Sequence, residues 1–148
     1  MQLTMSGDYA VRVIVDLAAQ LAGSTVRMQD LRRRTDVPRA YLSKIVQALA
    51  RGALVCTRRG KHGGVSLLGD PRTMTLKRVI EAVEGPIHLN RCLVRPGMCP
   101  RDTFCPVHPV WARIQQILVR ELESVRISDM LNASPAVGSA GTQEGPSC

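Results

Sequence analysis

The chain has 148 residues, of which 45% are hydrophobic and only 3% aromatic, so its length and composition suit one domain built on an aliphatic core. No run of 18 apolar residues occurs, which excludes a transmembrane helix, and the N-terminus lacks the basic head and apolar stretch of a signal peptide. We therefore expect a cytoplasmic protein without a membrane partner, whose five cysteines are kept reduced.

The net charge of +8 is concentrated in one segment. Between Arg27 and Gly64, ten lysine and arginine residues stand against two acids, so this segment alone carries the whole excess. A localised basic field predicts a polyanionic partner, and double-stranded DNA is the expected one. The alternative is a solvated basic surface, which would fit a scattered excess better.

The first predicted helix follows the i, i+3, i+4, i+7 spacing of an amphipathic helix. Ser6 is its expected N-cap and Gly23 its expected end. Asp8 then lies in the first turn, where an acid complements the helix dipole or can serve as a ligand. The apolar positions that carry the pattern are Ala10, Val13, Ile14, Leu17, Ala18 and Leu21.

The next segment predicts a helix-turn-helix. A short helix around residues 28–34 is followed by a tight turn at residues 35–37 and a second helix that opens at Pro38 and closes at Gly52. Apolar residues 42, 45, 46 and 49 form its buried stripe. The outward residues at its N-terminal end are predicted to approach bases or phosphates: Arg39, Ala40, Tyr41, Ser43 and Lys44.

A basic hairpin is predicted directly after it. Residues 54–56 and 65–67 read as short strands, and RRGKHGG between them supplies the glycines of a tight connection. A helix-turn-helix followed by such a hairpin is a winged helix. Arg58, Arg59 and Lys61 would lie against phosphates or in the minor groove.

After a further helix, TLKRVIEAVEG, comes the segment CLVRPGMCPRDTFCPVH, residues 92–108. Six residues separate Cys92 from Cys99, five separate Cys99 from Cys105, and His108 stands three positions after the last cysteine. Because proline and glycine interrupt the segment, most of it must be loop. Soft ligands in a long loop predict a metal ion or an iron–sulfur cluster that holds it from inside.

The longest predicted helix follows, with apolar residues at 110, 111, 114, 117, 118, 122 and 125. A small winged helix offers it little core, so we expect it to pair with its copy in a homodimer. Packing back on its own domain is the alternative. The expected organisation is a DNA-binding domain at 1–86, a cluster-binding loop at 87–109, a dimerisation helix and terminal segment at 110–132, and a disordered tail at 133–148.

The assembled pattern resembles the Rrf2 family of bacterial winged-helix regulators. The resemblance covers residues 1–132 and rests on MQLT…DYAVR, VPRAYLSKIVQAL, RRGKHGGVSL, TLKRVIEAVEGP, the three-cysteine loop and ISDML. It implies a mainly α homodimer with a small hairpin wing and a long C-terminal dimerisation helix. It also implies that an iron–sulfur cluster in each loop controls DNA affinity in response to redox state, nitric oxide, oxygen or iron–sulfur status.

The resemblance implies that Cys92, Cys99 and Cys105 are the thiolate ligands. One branch of the family takes its fourth ligand from a histidine three residues after the last cysteine, a place that His108 fills. Another branch takes it from an aspartate in the first helix of the partner subunit, a place that Asp8 fills. Both candidates are present, so the two-iron and four-iron forms both stay open.

Three other functions compete with a cluster-controlled repressor. Three cysteines and a histidine could instead hold structural zinc. Two of the cysteines could form a disulfide on oxidation, which would make a cluster-free thiol switch. An enzyme is not expected, because the sequence has no phosphate loop, nucleophile elbow or paired acid motif.

Overall fold

The computed structural model describes residues 4–133 of the chain. A single 3₁₀ turn at Arg91–Leu93 precedes the longest helix, and no helix in this range is long and apolar enough to cross a membrane. The predicted mainly α winged helix-turn-helix is confirmed. Its elements are α1 (Met5–Ala18), α2 (Met28–Thr35), α3 (Arg39–Arg51), β1 (Val55–Arg58), β2 (Gly64–Leu67), α4 (Leu76–Glu84), α5 (His108–Ser124) and α6 (Ile127–Ala133).

The turn between α2 and α3 depends on Asp36. This residue has a φ of 54°, in the left-handed region that a short polar side chain tolerates. Its N–H donates to the carbonyl oxygen of Arg32 at 3.0 Å, which ends α2. Pro38 then caps α3, because its carbonyl oxygen accepts the N–H groups of Tyr41 and Leu42. The tight turn and the start of α3 lie where the sequence predicted them.

The start of α1 differs from the prediction. Thr4, not Ser6, is the N-cap, and its Oγ1 accepts the N–H of Ser6 at 3.2 Å. The reason is a contact distant in sequence: the N–H and Oγ1 of Thr4 both donate to Glu84 Oε1 of α4, at 3.1 and 2.7 Å. The helix also ends earlier, at Ala18, and Gly23 lies in the loop that follows.

The core forms around α1, which contacts α2, α3, α4, α6 and β2. Ile127 of α6 is fully buried in it, so the terminal segment returns to the DNA-binding domain, and its N–H donates to the carbonyl oxygen of Met74 at 3.0 Å. By contrast, α5 has no buried side chain. Other fully buried residues are Ile14, Leu31, Leu42, Leu49, Leu54 and Val79. Of the predicted tail, residues 134–148 lie outside the described range.

The wing is an antiparallel pair in which Val55 faces Leu67 and Arg58 faces Gly64. Both strands extend further towards the tip than predicted. The segment before α2 pairs with β2 as a third partner, because Val26 and Val65 exchange N–H···O bonds at 2.8 Å in both directions. Gly64 makes this pairing possible, since a Cβ there would lie 2.3 Å from the carbonyl oxygen of Val26.

Candidate DNA-binding surface and cysteine loop

The first two turns of α3 present the side chains that the sequence predicted to face DNA. Leu42, Ile45 and Val46 are buried, which fixes the rotation of the helix. The predicted contact residues are all exposed: Arg39, Ala40, Tyr41, Ser43 and Lys44. The structure therefore places these side chains on one free surface, and their contact with DNA stays a prediction.

The wing presents the remaining predicted contacts, Arg58, Arg59 and Lys61, all exposed. Its tip is closed by the N–H of Gly63, which donates to the carbonyl oxygen of Gly60 at 2.9 Å. Because β1 packs against α3, the wing and the candidate recognition helix belong to one body. A polyanion that reaches one of these elements is close to the other.

Tyr41 also makes a contact within the protein that the sequence did not predict. Its ring meets the ring of Tyr9 edge-on, with the centroids 5.7 Å apart and the planes at 70°. The guanidinium of Arg12 lies 5.6 Å from the centre of the Tyr9 ring. The start of α1 therefore supports the start of α3, in a geometry that aromatic pairs favour.

The cysteine loop consists of successive tight turns. Cys92 lies in the 3₁₀ turn, Cys99 opens a turn closed by the N–H of Asp102 at 3.2 Å, and Cys105 lies three residues before the start of α5. Asp102 Oδ2 also accepts the N–H of Gly97 at 2.8 Å. The loop predicted from its prolines and glycines is thus present, and its own hydrogen bonds give it a defined path.

Two hydrogen bonds attach the segment before Cys92 to α5. The N–H of Leu89 donates to Gln115 Oε1 at 2.9 Å. One residue on, the side-chain amide of Asn90 lies 3.3 Å from Trp111 Nε1, and with its oxygen turned to this donor, as the surrounding groups require, it accepts the indole N–H. Because Trp111 lies one turn nearer the helix start than Gln115, the segment runs towards the N-terminal end of α5. The chain before Cys92 therefore runs along α5 towards the end at which His108 lies.

The two candidates for a fourth ligand stand in different surroundings. His108 opens α5, and its backbone N–H donates to the carbonyl oxygen of Cys105 at 3.2 Å. Its Nδ1 is buried and makes no hydrogen bond within the described residues. The Asp8 side chain is 50% exposed and forms an ion pair with Arg12 at 2.8 Å. His108 thus offers an unpaired nitrogen, whereas the carboxylate of Asp8 already has a partner.

The donor chemistry fits an iron–sulfur cluster or zinc, since three thiols and an imidazole are ligands that both accept. Residues 4–133 contain no group of three or more cysteine, histidine or acidic side chains placed to hold a metal ion. The loop therefore carries a suitable set of ligands at one end of α5.

The comparisons identify the family. The Rrf2 family model, described as an iron-dependent transcriptional regulator, matches residues 3–133. The chain belongs to the Rrf2 family.

Curated relatives of this Rrf2 protein agree with that assignment. An HTH-type transcriptional regulator IscR of Photorhabdus laumondii is 28% identical over 144 residues, which is 97% of this chain and 87% of the relative. The protein of the same name from Vibrio vulnificus is 26% identical over 144 residues and covers 97% and 85% of the two chains. This Rrf2 protein is accordingly a transcription regulator and not an enzyme.

Solved structures share its fold. T. potens IscR has a TM-score of 0.72 at 24% identity and covers 93% of this chain and 94% of its own. CymR, the global cysteine regulator of B. subtilis, also has a TM-score of 0.72, at 22% identity, and covers 91% and 99%. At these identities the likeness confirms the winged-helix fold alone.

Proposed function

We propose that this Rrf2 regulator is a repressor whose affinity for DNA is set by an iron–sulfur cluster held by Cys92, Cys99, Cys105 and His108. The observation that carries the proposal is the buried, unpaired Nδ1 of His108, whose backbone N–H bonds to Cys105. The segment before Cys92 is bonded to the same helix through Gln115. The iron-dependent description of the family supports it.

When bound, the cluster supplies a redox-active iron centre, and an imidazole in place of one thiolate raises its reduction potential. The residues of the chain bind and orient it. The thiols and the imidazole would donate electron pairs to the metal, while Gln115 and Trp111 hold the segment that precedes Cys92.

We further propose that α5 pairs with its copy to form a homodimer. One face of the helix is apolar and exposed, with Val110, Ile114 and Ile117 exposed along it. An apolar stripe of this kind is the usual seam between two packed helices. A dimer also presents two DNA-binding domains to two half-sites, as helix-turn-helix regulators do.

The test of the cluster is an absorption spectrum with iron, sulfide and zinc analysis of protein purified without oxygen. We expect iron with matching sulfide and a visible band that bleaches with nitric oxide or oxygen. His108→Ala should shift or weaken the band. His88→Ala is the matched control, because His88 Nδ1 is also buried and has no hydrogen-bond partner among the described residues, but it lies four residues before Cys92 and outside the segment 92–108. Asp8→Ala should leave the band unchanged, since its carboxylate pairs with Arg12.

The same experiment discriminates the alternatives. If Asp8→Ala weakens the band and His108→Ala does not, the fourth ligand is the carboxylate and the assignment of His108 is wrong. Zinc without sulfide would make the cysteines and His108 a structural site, and the signal would have to come from elsewhere. For a repressor under cluster control, DNA affinity measured on the loaded and the metal-free protein must differ.

A further inference from the structure

A groove separates the wing from the start of α2. It has a volume of about 530 Å³. Arg27 and Met28 form one side, and the wing forms the other. The residues of the wing that line it are Thr57, Arg58, Gly60, Lys61, Gly63, Gly64 and Val65. Arg27 lies far from the wing in sequence, so no reading of local patterns places it there.

The fold fixes Arg27 beside the wing. Its neighbour Val26 is 6% exposed and bonds to Val65 of β2 through two N–H···O contacts of 2.8 Å. Gly64 permits this close approach, because any Cβ would meet the carbonyl oxygen of Val26 at 2.3 Å. Arg27 follows directly, and it lines the groove together with Lys61. Both of these residues are exposed.

The charge of the groove is of one sign. Among the described residues, its lining contains arginine and lysine but no acid. A second groove of similar size, about 560 Å³, lies between α4 and the end of α5 and is lined by both signs. There Lys77 pairs with Glu123 at 3.3 Å. Of these two grooves, the one at the wing is therefore suited to an anion in preference to a cation.

We propose that the groove at the wing binds a backbone phosphate of the DNA, with Arg27 as a phosphate-binding residue. The inference rests on DNA binding by this regulator and adds a contact outside α3 and the tip of the wing. A guanidinium can donate two parallel N–H···O bonds to one phosphate. Contacts of this kind fix the position of a protein on the duplex without reading its sequence.

The test is the salt dependence of DNA binding by Arg27→Ala. Loss of one phosphate contact should reduce the slope of log K against log salt by about 0.9. Affinity should fall by the same factor for a selected operator and for an unrelated duplex. Arg120→Ala is the matched control, since Arg120 is exposed on α5 and its loss changes the net charge equally. We expect Arg120→Ala to leave the slope unchanged, and Arg27→Lys to retain most of it.

A second measurement localises the contact. In a series of duplexes, a methylphosphonate replaces one phosphate at a time and removes its charge. At one position the replacement should lower the affinity of the wild-type protein but not lower the affinity of Arg27→Ala any further. If Arg27→Ala keeps the wild-type salt slope and loses affinity at every methylphosphonate position at which the wild-type protein does, Arg27 binds no phosphate. If the wild-type protein shows no salt-sensitive binding to any duplex, the proposal that this protein binds DNA is itself wrong. The two failures are therefore distinguishable.

Discussion

At the scale of single residues, Gln115 is one of the two side chains that attach the segment before Cys92 to α5. Its Oε1 accepts the N–H of Leu89 at 2.9 Å, three residues before Cys92. Gln115→Leu keeps the size of the side chain but removes the acceptor. Since a net hydrogen bond contributes about 1 kcal/mol, the Leu89 amide should exchange with solvent about fivefold faster. Alkylation of Cys92 in the metal-free protein should also accelerate.

The neighbouring residue supplies the control for that experiment. Gln116 is exposed on the same helix and bonds to nothing in the loop, so Gln116→Leu should change neither rate. Equal rates for wild type and Gln115→Leu would show that the loop is held by its own turns alone. This measurement needs no cluster, so its result is independent of which metal the loop takes.

Single residues also mark where sequence patterns stop being informative. The spacing of the cysteines and His108 is visible in the sequence, because it lies within one loop. The ion pair of Asp8 with Arg12 follows from i, i+4 spacing, yet nothing in the spacing says that it competes with a ligand role. The sequence predicted Ser6 as the N-cap of α1, whereas Thr4 is the N-cap. Local spacing could not show this, because the contact of Thr4 with Glu84 joins two helices that are distant in sequence.

At the scale of elements, the contact between β2 and the segment before α2 tests how the wing is held. Gly64→Ala would place a Cβ within 2.3 Å of the carbonyl oxygen of Val26. The backbone must separate to relieve the clash, and overpacking of this kind costs about 1–3 kcal/mol. We expect a lower midpoint in urea unfolding and loss of amide protection at Val26 and Val65. Retained protection at both amides would show that the strand moves as a unit instead.

The elements themselves were largely predictable, and the reason is local. The apolar spacing in α1, α3 and α4, the position of Pro38 and the glycines of the wing each act within a few residues. The pairing of Val26 with Val65 and the burial of Ile127 could not be predicted, because both join residues far apart in the chain. The groove beside Arg27 exists only through the first of these contacts.

At the scale of the whole molecule, packed helices connect the cysteine loop to the candidate DNA-binding surface. Tyr9 of α1 contacts Tyr41 on the side of α3 that is predicted to face DNA, and Asp8 and Arg12 lie on the same turn of α1. The cysteine loop lies on α5, and α5 packs against α4, which in turn contacts α1. Because α4 also contacts α3 directly, only α5 and α4 separate the loop from the candidate recognition helix. Rigid helices of this kind can carry a change in packing over such a distance.

The α5 surface supplies the prediction for the assembled protein. Ile117 is 58% exposed in the single chain, on the same face as Val110 and Ile114. If two α5 helices pair through this face, Ile117→Glu buries an unpaired carboxylate at the seam and should yield monomers in sedimentation experiments. Gln116→Glu adds the same charge on the adjoining side of the helix and should leave the dimer intact. Monomeric protein should also lose affinity for two-half-site DNA, because each domain then binds alone. A dimer that survives Ile117→Glu at micromolar concentration would exclude this face as the seam.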